Sequence, residues 1–383
     1  MRRFVSWRRP VHGVGVDFGS SGIKAVALSA SRGELTVLGA GREPFPPGSV
    51  RDGAVQDVEE VGAGLRRLLT RLRVRSRLLG LAIGGGSVLI KRFPAPPGGA
   101  GGPGGARGFR DAVASEAARH VPFHLESLEF DYEGPASVPP GTAGEEPGSV
   151  VFGAAPREVV QAHCRAAAAA GRQVARIELE PYALHTAVRL ADHLTGGRRE
   201  SGGVAIVEIG NSRSGVHVFM DSAGVPAPTH GSAGGAQAEG EAPAELLASV
   251  PAPGVHAPLM HEPARVAESG DEPARPGSHP APAPPGGPAR NAEVFRNRIV
   301  ATVREALREA GLRQGPRVFL SGGGATAQPG QLGLERLASG DPAVLDPLSG
   351  LGCPDCGPVY SVAAGLAYRQ ILDQRAPGTG GHA

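Results

Sequence analysis

Val14-Gly-Val-Asp-Phe-Gly-Ser-Ser-Gly-Ile-Lys24 runs an apolar strand into an acid, a Gly/Ser turn and a Lys at the start of a return strand. Backbone amides at such a turn can form a nest for anions, and the Lys adds a point charge. Taken alone, the stretch reads equally well as a plain hairpin with a polar tip. The chain has Lys only at 24 and 91 and is otherwise basic through Arg, so a Lys in this turn is less an accident than it would be elsewhere. With Val14 to Phe18, Ile23 to Leu28 and Glu34 to Leu38 as short β-rich runs, the region predicts a three-stranded antiparallel meander.

Two later stretches repeat parts of this scheme in order. Val204-Ala-Ile-Val-Glu-Ile-Gly-Asn-Ser-Arg-Ser214 is again an apolar strand, an acid, a Gly and a small polar turn. Val318-Phe-Leu-Ser-Gly-Gly-Gly-Ala325 is a strand running into glycines that let a backbone approach a ligand closely. Two acid-tipped hairpins and one Gly-rich turn resemble the actin-like ATPase fold, an α/β fold of two lobes with a small inserted α+β subdomain. Within that superfamily, His120-Val-Pro-Phe-His-Leu-Glu-Ser-Leu-Glu-Phe-Asp-Tyr132, Ile177-Glu-Leu-Glu-Pro-Tyr-Ala-Leu184, Leu320-Ser-Gly-Gly-Gly-Ala325 and Ser361-Val-Ala-Ala-Gly-Leu-Ala-Tyr-Arg369 resemble the PilM family of type IV pilus assembly proteins, relatives of the cell-division protein FtsA. The resemblance covers about residues 12–220 and 291–370.

That resemblance implies a scaffold on the cytoplasmic side of the inner membrane, with ATP and Mg²⁺ in the cleft. Its implied partner is the N-terminal cytoplasmic peptide of a PilN-like membrane protein, through which it meets the membrane and other pilus platform components; self-association is left open. Carried over residue by residue, Asp17, Gly19, Ser20, Ser21 and Lys24 match the first phosphate hairpin, and Glu208, Gly210, Asn211 and Ser212 the second. Gly322, Gly323, Gly324 and Ala325 match the adenosine-side turn, and Asp17 and Glu208 would face Mg²⁺ through waters. At 208 the family has Asp, and the Glu found here reaches ~1.5 Å further by one C–C bond, which argues against hydrolysis. No catalytic residue is assigned. The peptide is expected in a groove beside the inserted subdomain, meeting Pro122, Phe123, Glu129 and Asp131.

The expected organisation is a basic tail over 1–11, a first lobe over 12–77 and 173–200, the inserted subdomain over 78–172, and a second lobe over 201–220 and 291–357. A closing helix of the first lobe follows over 358–376 and a tail over 377–383. Residues 221–290 are rich in Ala, Pro and Gly and are expected to be disordered, since they offer too little apolar surface to offset chain entropy. The family builds a nucleoside-holding helical subdomain there, carrying an acid and a Lys; this stretch shows no helix of that character and has no Lys.

Composition narrows the function classes. The 383 residues exceed what one core usually serves, and 59 Gly with 36 Pro mark part of the chain as unfolded. A net charge of +2, with no single-sign patch, argues against nucleic acid as a partner. Three cysteines are too few for a disulfide framework, so a reducing compartment is expected, with Cys353 and Cys356 as plain thiols because a zinc site needs about four ligands. The start lacks an apolar signal core, and no run is long enough to cross a membrane. A sugar or acetate kinase of the same superfamily is the main alternative, and a GspL-like type II secretion component the next; no Gly-x-Ser-x-Gly elbow supports a hydrolase.

Overall fold

The structure, a computed structural model, describes residues 10–97, 105–134, 149–195, 203–220, 245–252, 288–312, 315–325, 332, 334–353 and 356–375. Residues 1–9 of the expected basic tail, the expected tail at 377–383 and residues 135–148 lie outside these residues, as does most of 221–290, while Val11, expected in the tail, opens the first strand.

The meander forms as predicted. Strands β1 (Val11–Gly19), β2 (Gly22–Ser31) and β3 (Glu34–Glu43) pair antiparallel. A two-residue-strand hairpin follows, β4 (Val50–Arg51) and β5 (Ala54–Val55), and then helix α1 (Val58–Arg71). Asp57 caps α1 by accepting from the Glu60 amide at 2.9 Å. Strand β6 (Leu78–Ile83) lies parallel to β1, so it belongs to the first sheet and not to the inserted subdomain.

The separate three-stranded sheet contains β7 (Leu89–Pro94), helix α2 (Gly105–Ala117) packed on it, β8 (Leu128–Glu133) and β9 (Ser149–Pro156), in the order β7-β9-β8. Its own core is built on Phe93, Phe109, Val113 and Phe152. Helix α3 (Arg157–Ala169) returns to pack beside α1, and β10 (Gln173–Leu179) completes the first sheet in the order β10-β6-β1-β2-β3. The strands of the small sheet therefore span 89–156, a narrower unit than the expected 78–172. Residues 78–83 read as insertion because their parallel partners in β1 and β10 are far off in sequence, and α3 because the helix it packs beside, α1, is equally far off.

After helix α4 (Glu180–Thr195) the scheme repeats. Strands β11 (Gly203–Ile209), β12 (Ser214–Met220) and β13 (Glu245–Pro251) pair antiparallel. Helix α5 (Pro288–Ala310) precedes β14 (Arg317–Ser321) and β15 (Ala343–Val344), both parallel, giving the order β13-β12-β11-β14-β15. The presence of β13 corrects the expectation of disorder across 221–290. Leu246, Ala248 and Val250 are buried at period two, a pattern too short to stand out among Ala and Pro and stabilised by pairing with β12.

The last helix, α6 (Ser361–Arg375), lies with α4 between the two sheets. The layers run α1/α3, first sheet, α4/α6, second sheet, α5. With both faces covered, the central strands are buried along nearly their whole length. Near α6, Cys353 and Cys356 are joined as a disulfide, against the expectation of plain thiols: the loop places their Cα atoms 5.4 Å apart, within bridging range.

Candidate functional site

The tips of both hairpins, the N-terminus of α4 and the turn after β14 converge at one end of the two sheets. In the first hairpin, Asp17 stands opposite Lys24 and Gly19 opposite Gly22, leaving Ser20 and Ser21 as the turn. The Lys24 ammonium lies 3.0 Å from an Asp17 carboxylate oxygen, and it passes so close over the turn that a Cβ on Gly19 would strike it. Ser21 is exposed and Ser20 half-buried. Two hydroxyls beneath a cation suit an anion such as a phosphate.

In the second hairpin Glu208 is opposite Gly215, and the Gly210 amide donates to the Arg213 carbonyl at 2.8 Å to close the tip. Asn211 and Ser212 point outward, exposed. Arg213 turns inward. Its guanidinium is paired with Glu180 at the start of α4 and stands 3.9 Å from a Glu208 carboxylate oxygen, which also has His217 3.8 Å away. His217 in turn meets the Ser249 hydroxyl on β13 at 2.9 Å. Asp17 lies near enough to act on both Glu180 and Arg213 electrostatically.

This crowding sorts the protons. Burial, and then the charge of Glu208, pushes Glu180 up to about 8. Burial acts the same way on Glu208, but Arg213 and His217 outweigh it and draw Glu208 down to about 2. Burial also opposes the Arg213 charge, yet Glu180, Glu208 and Asp17 hold its pKa above the ordinary range. A carboxylate held so low, as Glu208 is, makes a poor general base.

The third turn is tied to the second hairpin. The Gly324 amide donates to the Ile209 carbonyl at 2.9 Å and the Gly322 amide to the Pro358 carbonyl at 3.2 Å. Gly322 sits at φ +88° with its α-carbon against the Ile209 backbone, where a side chain would collide. Ala325 is buried and Gly323 exposed. Gly322 is thus required by packing, whatever ligand the turn meets, whereas a Cβ on Gly323 would make only an ordinary contact with Val359 at 3.8 Å.

A divalent ion does not fit the expected pair as it stands. Asp17 already holds Lys24, and Glu208 already faces Arg213 and His217. Among the described residues no three His, Cys, Asp or Glu side chains are gathered to hold a metal ion. The sequence reading missed Glu180, Arg213 and His217. The signals were there, in the Glu-Leu-Glu-Pro segment and in an Arg within the second tip, but only the fold brings them together.

The expected partner residues lie elsewhere, on the small sheet. Pro122 is exposed, and Phe123 is 58% exposed. Glu129 is paired with Arg157 at 2.9 Å, while Asp131 is almost fully exposed, 3.6 Å from Arg110. None of the four lines the cavity of about 540 Å³ between β7 and β13, which is bordered by Lys91, Arg92, Leu246, Ser249 and Glu305. Among the described residues no helix is long and apolar enough to cross a membrane.

The family described as type IV pilus assembly protein PilM matches residues 15–241, more than half of the chain. Among solved structures, a PilM-PilN type IV pilus biogenesis complex is similar over 94% of this chain and 98% of that one, at 18% identity and a TM-score of 0.58, which establishes a common fold. A protein with an actin-like ATPase fold and unknown function from Bacteroides thetaiotaomicron matches 92% of this chain and 99% of its own, at 9% identity and TM-score 0.40. The cytoplasmic domain of EpsL, an inner-membrane component of the type II secretion system of Vibrio cholerae, matches 54% of this chain and 66% of its own, at 14% identity and TM-score 0.34.

Proposed function

The chain belongs to the PilM family of type IV pilus assembly proteins, and on that premise we propose that it is a scaffold of actin-like fold whose small sheet receives the N-terminal peptide of a PilN-like membrane protein. The observation that carries this reading is Phe123. It is the one aromatic among the strongly exposed large hydrophobics of the described residues, and it follows Pro122 just past the end of α2. A large apolar side chain held out to solvent suits the apolar part of a short peptide, and exposed acids on the same subdomain suit its basic flanks. Asp131, almost fully exposed, supplies the acid, and β8 is an edge strand against which an extended peptide can lie.

The phosphates of ATP would meet Ser20, Ser21 and Lys24, with Gly322 to Ala325 on the adenosine side; nucleotide there would set conformation, the work of the protein being binding. Anisotropy with a labelled PilN-type peptide tests the partner. Phe123→Ala is expected to weaken binding at least about tenfold, the order of one good anchor, with an unchanged circular dichroism spectrum. Asp131→Arg should weaken it through charge, an effect that shrinks as salt rises. Binding indifferent to both substitutions would place the peptide elsewhere.

A further inference from the structure

The guanidinium of Arg213 sits at the junction of the two lobes. It projects from the hairpin of the second sheet and reaches Glu180, at the N-terminus of the helix that follows the first sheet, while staying 3.9 Å from Glu208 in its own sheet. Room for it comes from Gly84, just past the end of β6: a Cβ there would strike a Glu180 carboxyl oxygen and come within 2.8 Å of an Arg213 nitrogen. Gly84 has an extended φ of −146°, which any residue adopts, so its lack of a side chain answers to space and not to backbone conformation.

Charge accounting points the same way. Lys24 balances Asp17, and Arg213 balances Glu208. With Glu180 keeping its proton at neutral pH, the cleft is neutral without any added ion. We propose that Arg213 is a resident cation that takes the place of a divalent metal in this cleft and pins the two lobes together by bridging Glu180 and Glu208. Glu208, which would otherwise face Mg²⁺, is thereby closed to it, and Asp17 is already held by Lys24.

This inference is independent of the peptide site, and its test needs neither peptide nor nucleotide. The full chain is melted with and without Mg²⁺ at matched ionic strength. Wild type should show no saturable shift in melting temperature. Arg213→Gln, which leaves Glu208 without its partner, should melt lower and recover part of the loss as Mg²⁺ is added. Arg213→Lys, which keeps a cation, should stay indifferent to Mg²⁺. If Arg213→Gln does not fold, Gly84→Ala replaces it, because it keeps every charge and displaces only the guanidinium and Glu180; the same Mg²⁺ recovery is expected. A saturable Mg²⁺ shift in wild type that Glu208→Gln abolishes would overturn the proposal. So would a folded, destabilised Arg213→Gln that ignores Mg²⁺.

Discussion

His163 shows what enclosure does to a single side chain. It sits on α3 with its ring 5.5 Å from that of Phe18 and its Nδ1 2.9 Å from the Val159 carbonyl oxygen, almost without exposure. Burial disfavours the imidazolium, so the folded-state pKa falls below the ordinary value of about 6.5. The unfolded chain then binds a proton that the folded chain refuses. Stability from this site is complete above the unfolded pKa and is lost as pH falls through the window down to the folded one. His163→Gln should flatten the acid limb of a plot of urea midpoint against pH; an equally steep limb in the variant would assign the dependence to other groups. Lys24 could be singled out from sequence because Lys is so scarce here. Arg213 could not, being one basic residue among many Arg, and nothing local to it indicates Glu180, 33 positions away.

At the scale of elements, the contact between β1 and α6 is decided by missing side chains. A Cβ on Gly15 would collide with the Ala363 carbonyl, and one on Gly365 with the Ala183 carbonyl of α4. The opposing backbone has nowhere to move, since it lies between two sheets. Gly15→Ala should therefore destabilise the protein by about 1 to 3 kcal/mol, the usual range for overpacking a core. Gly357→Ala is the control: φ is −71° and a Cβ there meets nothing, so the unfolding midpoint should move by less than about 0.5 kcal/mol. Equal effects from the two would mean that α6 yields to the added methyl. The meander was legible in the sequence because its partners are adjacent, and α1 because Val58, Val61, Leu65, Leu68, Leu69 and Leu72 recur there at helical spacing. Strand β13 was not, because seven residues with three buried apolar positions form a signal only beside β12.

For the whole molecule, the decisive feature is the core shared between the lobes. Ala82 of the first sheet, Leu184 and Val188 of α4, Leu366 of α6, and Ile206, Phe219 and Leu246 of the second sheet form one buried cluster. Lobes joined through such a core should unfold together, giving one calorimetric transition whose enthalpy equals the van't Hoff value. Leu246→Ala removes a side chain from that cluster and should cost about 2 to 5 kcal/mol, the range for emptying a buried leucine site, while keeping the single transition. Two resolved transitions in wild type would mean that the lobes are energetically separate.

Sequence alone was enough for the α/β class, the two hairpins, the Gly-rich turn, their order and the family they resemble, because each depends on spacing within a dozen or so neighbouring residues. The paired sheets, the place of β6 in the first of them, and the strand at 245–251 were decided by tertiary structure, since parallel pairing and shared cores join residues that no local period connects. The charge state of the cleft was decided there too. Asp17 and Glu208 are acids at strand ends in the sequence, but only folding brings Lys24, Arg213 and His217 within 4 Å of them, and at that range in a poorly hydrated cleft the nearest charge determines which ion the site will accept.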